Sequence, residues 1–243
     1  MNLFANTAQT TNEVTDPTTT TSSFAVPETN LYAATLEIAY LNPSAPAGRV
    51  DIIFQFKLEN GFVWKYPVYS VLKNGRTHDG TNKDGTPKLN YGFQTATRIA
   101  ATFCGKTLEE LGGNVVSKII EVYDYNTSRN VPTTVQAFGD CIGAKGFVAL
   151  TRKVVNKKVK VGDSYVDLPE RKQEAVLTHP VSLQGKTFSE LRAGTQPEIA
   201  MKWVSSNKGK DWDDYKPVAT TGAVAQPTTP TAAPTTAGAF NFG

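Results

Sequence analysis

Sulfur and histidine are scarce in this chain: 243 residues include 2 cysteines, 2 methionines and 2 histidines. Cys104 and Cys141 form no Cys-x-x-Cys pair and have no histidine at ligand spacing, so neither a disulfide framework nor a zinc site is indicated, and each reads as a buried structural thiol. His78 lies in a turn-rich stretch and His179 precedes Pro180, which are poor positions for a Ser–His or Cys–His nucleophile. No apolar run approaches the roughly 20 residues of a membrane helix. The start, Met1 to Thr7, lacks both the basic residues and the hydrophobic stretch of a signal peptide. The expectation is a soluble intracellular protein without a membrane partner.

Phosphate, metal and acid–base chemistry are equally thin. Gly105-Lys106-Thr107 and Gly185-Lys186-Thr187 look like P-loop ends, but Ala100 and Pro180 stand where that loop needs its first glycine. Thr107-Leu108-Glu109-Glu110 and Thr187-Phe188-Ser189-Glu190 read instead as capping boxes that start a helical turn. The calcium-loop likeness of Asn82 to Gly85 fails because Gly80 and Tyr91 replace the essential carboxylates. Asp213-Asp214 reads as a solvated turn. The sequence makes no case for an enzyme or a cofactor.

What is present is apolar and β-rich. With 40% hydrophobic and 10% aromatic residues the chain has material for a real core. Ala34–Leu41, Val50–Leu58 and Phe62–Val71 read as three strands in a meander, with an Asn60-Gly61 turn between the last two. Pro67 suggests an edge strand or a bulge. Residues 73–90 read as a long exposed loop, a kind of segment that is often functional. Tyr91 to Phe103 has helical spacing, and Glu198 to Ser205 reads as a short closing helix. Further strands are expected at 115–122, 133–138 and 146–155, with shorter ones at 165–166 and 175–178. The fold expected is mainly β with a few helices (α+β), an OB-fold-like barrel. Its domain spans 31–212, between a flexible N-terminal arm (1–30) and a low-complexity C-terminal tail (213–243).

Both arms are Thr- and Pro-rich and read as disordered. Phe4 and Phe24 in front, and Phe240 and Phe242 behind, are candidates for docking on a partner or on another copy of the chain. Residues 1–30 carry only Glu13, Asp16 and Glu28, and 217–243 carry no charge, so the core holds all 25 basic residues against 22 − 3 = 19 acidic ones, a net +6. That balance is compatible with a polyanion partner.

The basic residues cluster. Lys145, Arg152, Lys153, Lys157, Lys158 and Lys160 fall within residues 145–160 without a carboxylate, and Lys73, Arg76, Lys83, Lys88 and Arg98 fall within 73–98 against Asp79 and Asp84. Period two along the third strand places Trp64, Tyr66 and Val68 on one face and Lys65, Pro67 and Tyr69 on the other; one of these faces is core. Aromatics left exposed beside lysines stack unpaired bases whatever their identity. Candidate phosphate contacts are Lys73, Arg76, Lys88, Arg98, Lys145, Arg152, Lys153, Lys157 and Lys158, with Lys65 beside the aromatics. Candidate stackers are Trp64, Tyr66, Tyr69, Tyr91 and Phe93.

Five stretches, taken in order, resemble a bacteriophage single-stranded DNA-binding protein family from phages that encode their own RNA polymerases. They are Val122-Tyr123-Asp124-Tyr125, Val131-Pro132-Thr133-Thr134-Val135-Gln136 and Val154-Val155-Asn156-Lys157-Lys158-Val159, then Gly185-Lys186-Thr187 with Leu191-Arg192-Ala193-Gly194, and Lys202-Trp203 with Asn207-Lys208-Gly209-Lys210. The resemblance covers roughly residues 31–212. It implies an OB-like domain that coats single-stranded DNA in replication and recruits the phage RNA polymerase to unwound promoters, in the host cytoplasm. Replication proteins are further expected partners, and the aromatic arms lead to the expectation of a homo-oligomer. The chain departs from the acidic tail of many replication proteins, since Ala239-Phe240-Asn241-Phe242-Gly243 is uncharged. The alternative reading is a virion or assembly protein whose arms exchange between subunits.

Overall fold

A computed structural model describes residues 25–218 except 73, 74, 125, 126, 128 and 163. Phe4, Phe24, Lys73, Phe240 and Phe242, with most of both arms, lie outside the described residues. Among the described residues the fold is mainly β with four α-helices, an α+β arrangement.

β1 (Asn30–Leu41), β2 (Val50–Leu58) and β3 (Val63–Val71) form the expected antiparallel meander. Alternation in β2 sends Ile52, Phe54, Phe56 and Leu58 into the main core, as period two requires. In β1 the register passes from Leu36↔Phe56 to Ile38↔Gln55, so Glu37 is an extra residue and forms a bulge. The bulge inverts side-chain parity. Ala34 and Leu36 precede it on the main-core face and Ala39 follows on that face, while Ile38 and Tyr40 turn to a second cluster with Val135, Ala137 and Ile53. That smaller cluster is closed by β6 (Val115–Asp124) and β7 (Arg129–Phe138) through Val116, Ile120 and Val122.

The 73–90 segment is less irregular than expected: β4 (His78–Thr81) and β5 (Pro87–Leu89) make a small exposed hairpin. It leads into α1 (Tyr91–Ile99), which continues as a π-turn over Ala100–Cys104. Asn90, itself buried, holds this junction: its Oδ1 accepts from Phe93 N–H (2.6 Å), and its Nδ2 donates to the carbonyls of Ser70 (3.0 Å) and Thr77 (3.1 Å). Ala96, Ile99, Ala100 and Phe103 form the buried stripe, and the Phe103 ring packs 5.3 Å from Phe56. Gly146 makes room for that ring, since a Cβ there would lie 3.1 Å from it and 2.7 Å from the Val181 carbonyl.

β8 (Ala144–Val161) and β9 (Ser164–Val181) form one long hairpin. The two short strands expected at 165–166 and 175–178 are thus a single strand. The polar residues between them are exposed and find cross-strand partners, which apolar periodicity cannot register. Between Asn156↔Arg171 and Lys158↔Asp167 the ladder bulges around Pro169, which has no N–H to give.

The expected barrel does not close. β1 is hydrogen-bonded on one edge to β2 and shares the other between β8 and, at Tyr40↔Ala137, β7. Among the described residues β3 pairs only with β2, and β9 pairs along its length with β8. α1 packs against β3 and reaches β9, so a helix stands where closing hydrogen bonds would be. Pro67 in β3 accords with an edge position.

Both Gly-Lys-Thr segments end in capping boxes, before α2 (Leu108–Gly112) and α3 (Phe188–Ala193). The second is extended. Glu190 is buried, and its carboxylate accepts from Thr187 N–H (2.8 Å) and hydroxyl (2.8 Å), and from the N–H groups of Glu198 (2.6 Å) and Ile199 (2.7 Å) at the start of α4 (Ile199–Asn207). Burial raises its pKa, but the donors at Ile199, Thr187 and Glu198 outweigh that and hold it at about 2. Among the described residues no helix is long and apolar enough to cross a membrane.

Two outcomes are expected. In Gly92→Ala the new Cβ meets the backbone carbonyl of Tyr69, which costs roughly 1–3 kcal/mol in denaturant unfolding. Because the pKa of Glu190 is depressed from 4.5 to about 2 on folding, its contribution is complete above 4.5 and is lost as pH falls toward 2. Glu190→Gln therefore lowers stability at neutral pH and flattens the acid limb of the stability profile between those values, read by unfolding at a series of pH values.

Candidate nucleic-acid interface

The proposed contact residues divide between two surfaces that differ in how far their cations are compensated by carboxylates. The first surrounds β3 and the start of α1. Trp64, Tyr66 and Val68 face the core, where the Trp64 ring packs, tilted, between Phe56 (5.9 Å) and Tyr66 (4.8 Å). Trp64, Tyr66 and Phe93 are half-buried. The Tyr66 hydroxyl is pushed above its ordinary pKa by burial, and then by the charge of the neighbouring Tyr91 hydroxyl and its hydrogen bond. Trp64 and Tyr66 are thus structural first, with only their rims toward solvent.

Tyr69 and Tyr91 are the open aromatics of this surface, at 52% and 64% exposed. Gly92 lets α1 approach the Tyr69 backbone, so Tyr91 stands beside β3. Tyr69 is braced by Arg49, whose guanidinium lies 4.6 Å from the ring centroid and 2.6 Å from the buried Asp51 carboxylate. Arg49 was not distinguishable in sequence, where it sits in a Pro- and Gly-rich turn; only the Asp51↔Tyr69 register brings it over the ring.

Among the described residues Lys65, Lys88, Arg98 and Lys145 make no salt bridge. Lys65 is exposed on the same β3 face as Tyr69 and donates to the Glu121 carbonyl (3.3 Å). Lys88 is exposed in β5, and Arg76 is exposed just before β4. Arg98 lies further along α1, bonded to Gln94 (3.2 Å), and is close enough to His179 to depress that imidazole's pKa after burial has done so. Lys145 is exposed at the start of β8, opposite Thr35.

The second surface is the β8–β9 hairpin, where the basic run is not left to repel itself. A segment with no carboxylate of its own receives carboxylates from elsewhere: Arg152 pairs with Asp211 (2.7 Å), Lys153 with Asp214 (2.7 Å), Lys157 with Glu170 (2.8 Å) and Lys158 with Asp167 (3.7 Å). Arg171 likewise meets Asp213 (3.1 Å). Of these groups Lys153, Lys157, Lys158, Asp167, Glu170, Arg171 and Asp214 line an open groove of about 960 Å³ of mixed charge.

Three of these five carboxylates, those of Asp211, Asp213 and Asp214, arrive on residues 211–216. Trp212 and Asp213 form β10, which runs parallel to β8 along the edge vacated by β1, and Trp212 lies under Lys153 (4.3 Å). Asp213 and Asp214, expected as a solvated turn at the head of the tail, belong to the folded domain. Asp213 is held below the ordinary carboxyl range by Tyr215 N–H and then Arg171, and Asp214 by Lys153. The segment is clamped by buried Asn156, whose Nδ2 donates to the carbonyls of Leu168 (3.0 Å) and Lys216 (2.8 Å) and whose Oδ1 accepts from Lys216 N–H (2.8 Å).

No family model matches the sequence, and no curated protein matches it.

Asn156→Ala removes all three clamp bonds at once. Its expected cost is about 1–3 kcal/mol, and amide exchange at Asp214 and Lys216 should accelerate well beyond that of the β1–β2 ladder.

Proposed function

We propose that the protein is a non-enzymatic, sequence-tolerant single-stranded DNA-binding protein of phage type. Its principal contact surface is the β3–α1 face. The observation that carries this reading is that β3, β5 and the start of α1 carry two exposed tyrosines, Tyr69 and Tyr91, and two exposed lysines, Lys65 and Lys88, that have no carboxylate partner among the described residues. Flat rings offer every base a stacking face, and ammonium groups neutralise the phosphates between them, releasing counterions. Arg49 occupies one side of the Tyr69 ring and fixes it before any base arrives. The β8 cations serve a lesser role, because a phosphate must first displace Asp167, Glu170, Asp211 or Asp214. On this reading the chain coats DNA during replication in the host cytoplasm, and self-association and recruitment of the phage RNA polymerase use surfaces other than this one.

Fluorescence anisotropy with labelled oligo-dT and a matched duplex, across a salt series, tests the proposal. Tight and salt-sensitive preference for the single strand is expected. Tyr69→Ala and Tyr91→Ala should each weaken binding by about 1–3 kcal/mol, roughly 5- to 150-fold. Lys65→Ala with Lys88→Ala should reduce the slope of log K against log salt by about 1.4, at about 0.7 per contact. Lys157→Ala with Lys158→Ala should change it less. Indifference to single strands at low salt overturns the reading, and stable oligomers formed without nucleic acid would then favour the assembly alternative.

A further inference from the structure

The two cysteines that the binding reading leaves unused lie together. Cys104 ends the π-turn after α1, and Cys141 ends the 3₁₀ turn between β7 and β8. They are 37 positions apart in sequence, yet their Sγ atoms are 3.0 Å apart, and both are free thiols. A disulfide requires the sulfurs to approach by about 1 Å more. Gly105, at φ 64° with open space around its α-carbon, follows Cys104 directly and gives the backbone room to make that movement.

The two thiols are not equivalent. Cys141 is fully buried, whereas Cys104 is partly accessible. The hydrogen bond from Cys141 favours the Cys104 thiolate, and Lys106 adds to this from two residues away; burial and the adjoining Asp140 oppose it without cancelling it. Lys106 and Asp140 themselves pair at 2.8 Å, tying the two turns together beside the sulfurs. Among the described residues no group of three or more His, Cys, Asp or Glu side chains gathers as metal ligands, so the site is a pair of thiols.

We propose that Cys104 and Cys141 are an oxidant-responsive dithiol that closes to an intramolecular disulfide, with Cys104 as the attacking sulfur and Cys141 as the resolving one. With a small disulfide such as oxidised glutathione, the Cys104 thiolate attacks one sulfur, breaks the S–S bond and releases one glutathione thiolate. That thiolate takes the Cys141 proton. Cys141 Sγ then attacks Cys104 Sγ and expels the second glutathione. The Cys104 proton, shed when its thiolate forms, ends on that second glutathione, so the protein loses two protons and two electrons and one oxidised glutathione becomes two reduced molecules. The closed loop contains α2 and the whole β6–β7 hairpin, and the bond staples the end of the helical layer to the base of the sheet.

The test uses the full chain equilibrated in glutathione buffers from fully reduced to fully oxidised, quenched in acid, alkylated and weighed intact. The expected result is loss of both alkylation sites in oxidised buffer, with no glutathione retained and full reversal by dithiothreitol. Cys141→Ser should stop with one glutathione on Cys104, and Cys104→Ser should remain unmodified. The oxidised wild type should melt higher by about 10 °C, since the bond closes a long loop. Two alkylatable thiols surviving in fully oxidised buffer overturns the proposal, as does a stable glutathione adduct or covalent dimer of the wild type. Circular dichroism of the same wild-type samples establishes that the fold is intact, so the result stands even where a serine variant fails to fold.

Discussion

A strand has two hydrogen-bonding edges and two faces, and β1 uses all four. Its first half pairs with β8 and its second half touches β7 on the same edge, while β2 takes the other edge from Ala34 to Leu41. One extra residue, Glu37, lets a single strand serve two cores by inverting parity midway, and its side chain is held by Gln55 at 2.9 Å. Without that inversion Ile38 and Tyr40 would face the main core, which Phe54, Phe56 and Phe103 already fill. The small cluster beneath the β6–β7 hairpin would then have no floor.

The open ladder follows from the same economy of space. α1 and its π-turn deliver Ile99, Ala100 and Phe103 into the region between β3 and β9, and a closed barrel of this size would have no room for them. Leaving β3 as an edge exposes backbone groups, a liability usually managed with proline, charge or a covering helix. Here Pro67, Lys65 and α1 supply all three. Tyr69 and Tyr91 are exposed because they flank that covered edge, so the candidate binding face and the protection of the edge share one set of residues.

Charge is distributed less simply than the net +6 of the core suggests. The densest basic run lies on β8, where cross-strand partners in β9 and the docked 211–216 segment neutralise it. Exposed pairs of this kind add little stability individually. Their consequence here is electrostatic: the run that looks most cationic in sequence is largely compensated, and the positive field shifts toward the scattered cations around β3, α1 and β5.

Local chemistry was legible from the sequence wherever neighbours in the chain decide the outcome. The β2 alternation, the edge role of Pro67, the stripe of α1 and both capping boxes depend on residues within a turn or two of each other, so periodicity and spacing determine them. The mainly-β class follows from the same signals. Tertiary structure alone decided the rest, because it depends on contacts between residues distant along the chain. The Glu37 bulge needs Gln55 opposite it; the bracing of Tyr69 needs Arg49 brought over by strand register. The compensation of the β8 cations Arg152 and Lys153 needs Asp211 and Asp214, some sixty residues on, and the Cys104–Cys141 pair needs the π-turn laid against the turn after β7. Composition can count such groups, but only the packed chain brings them within reach of one another.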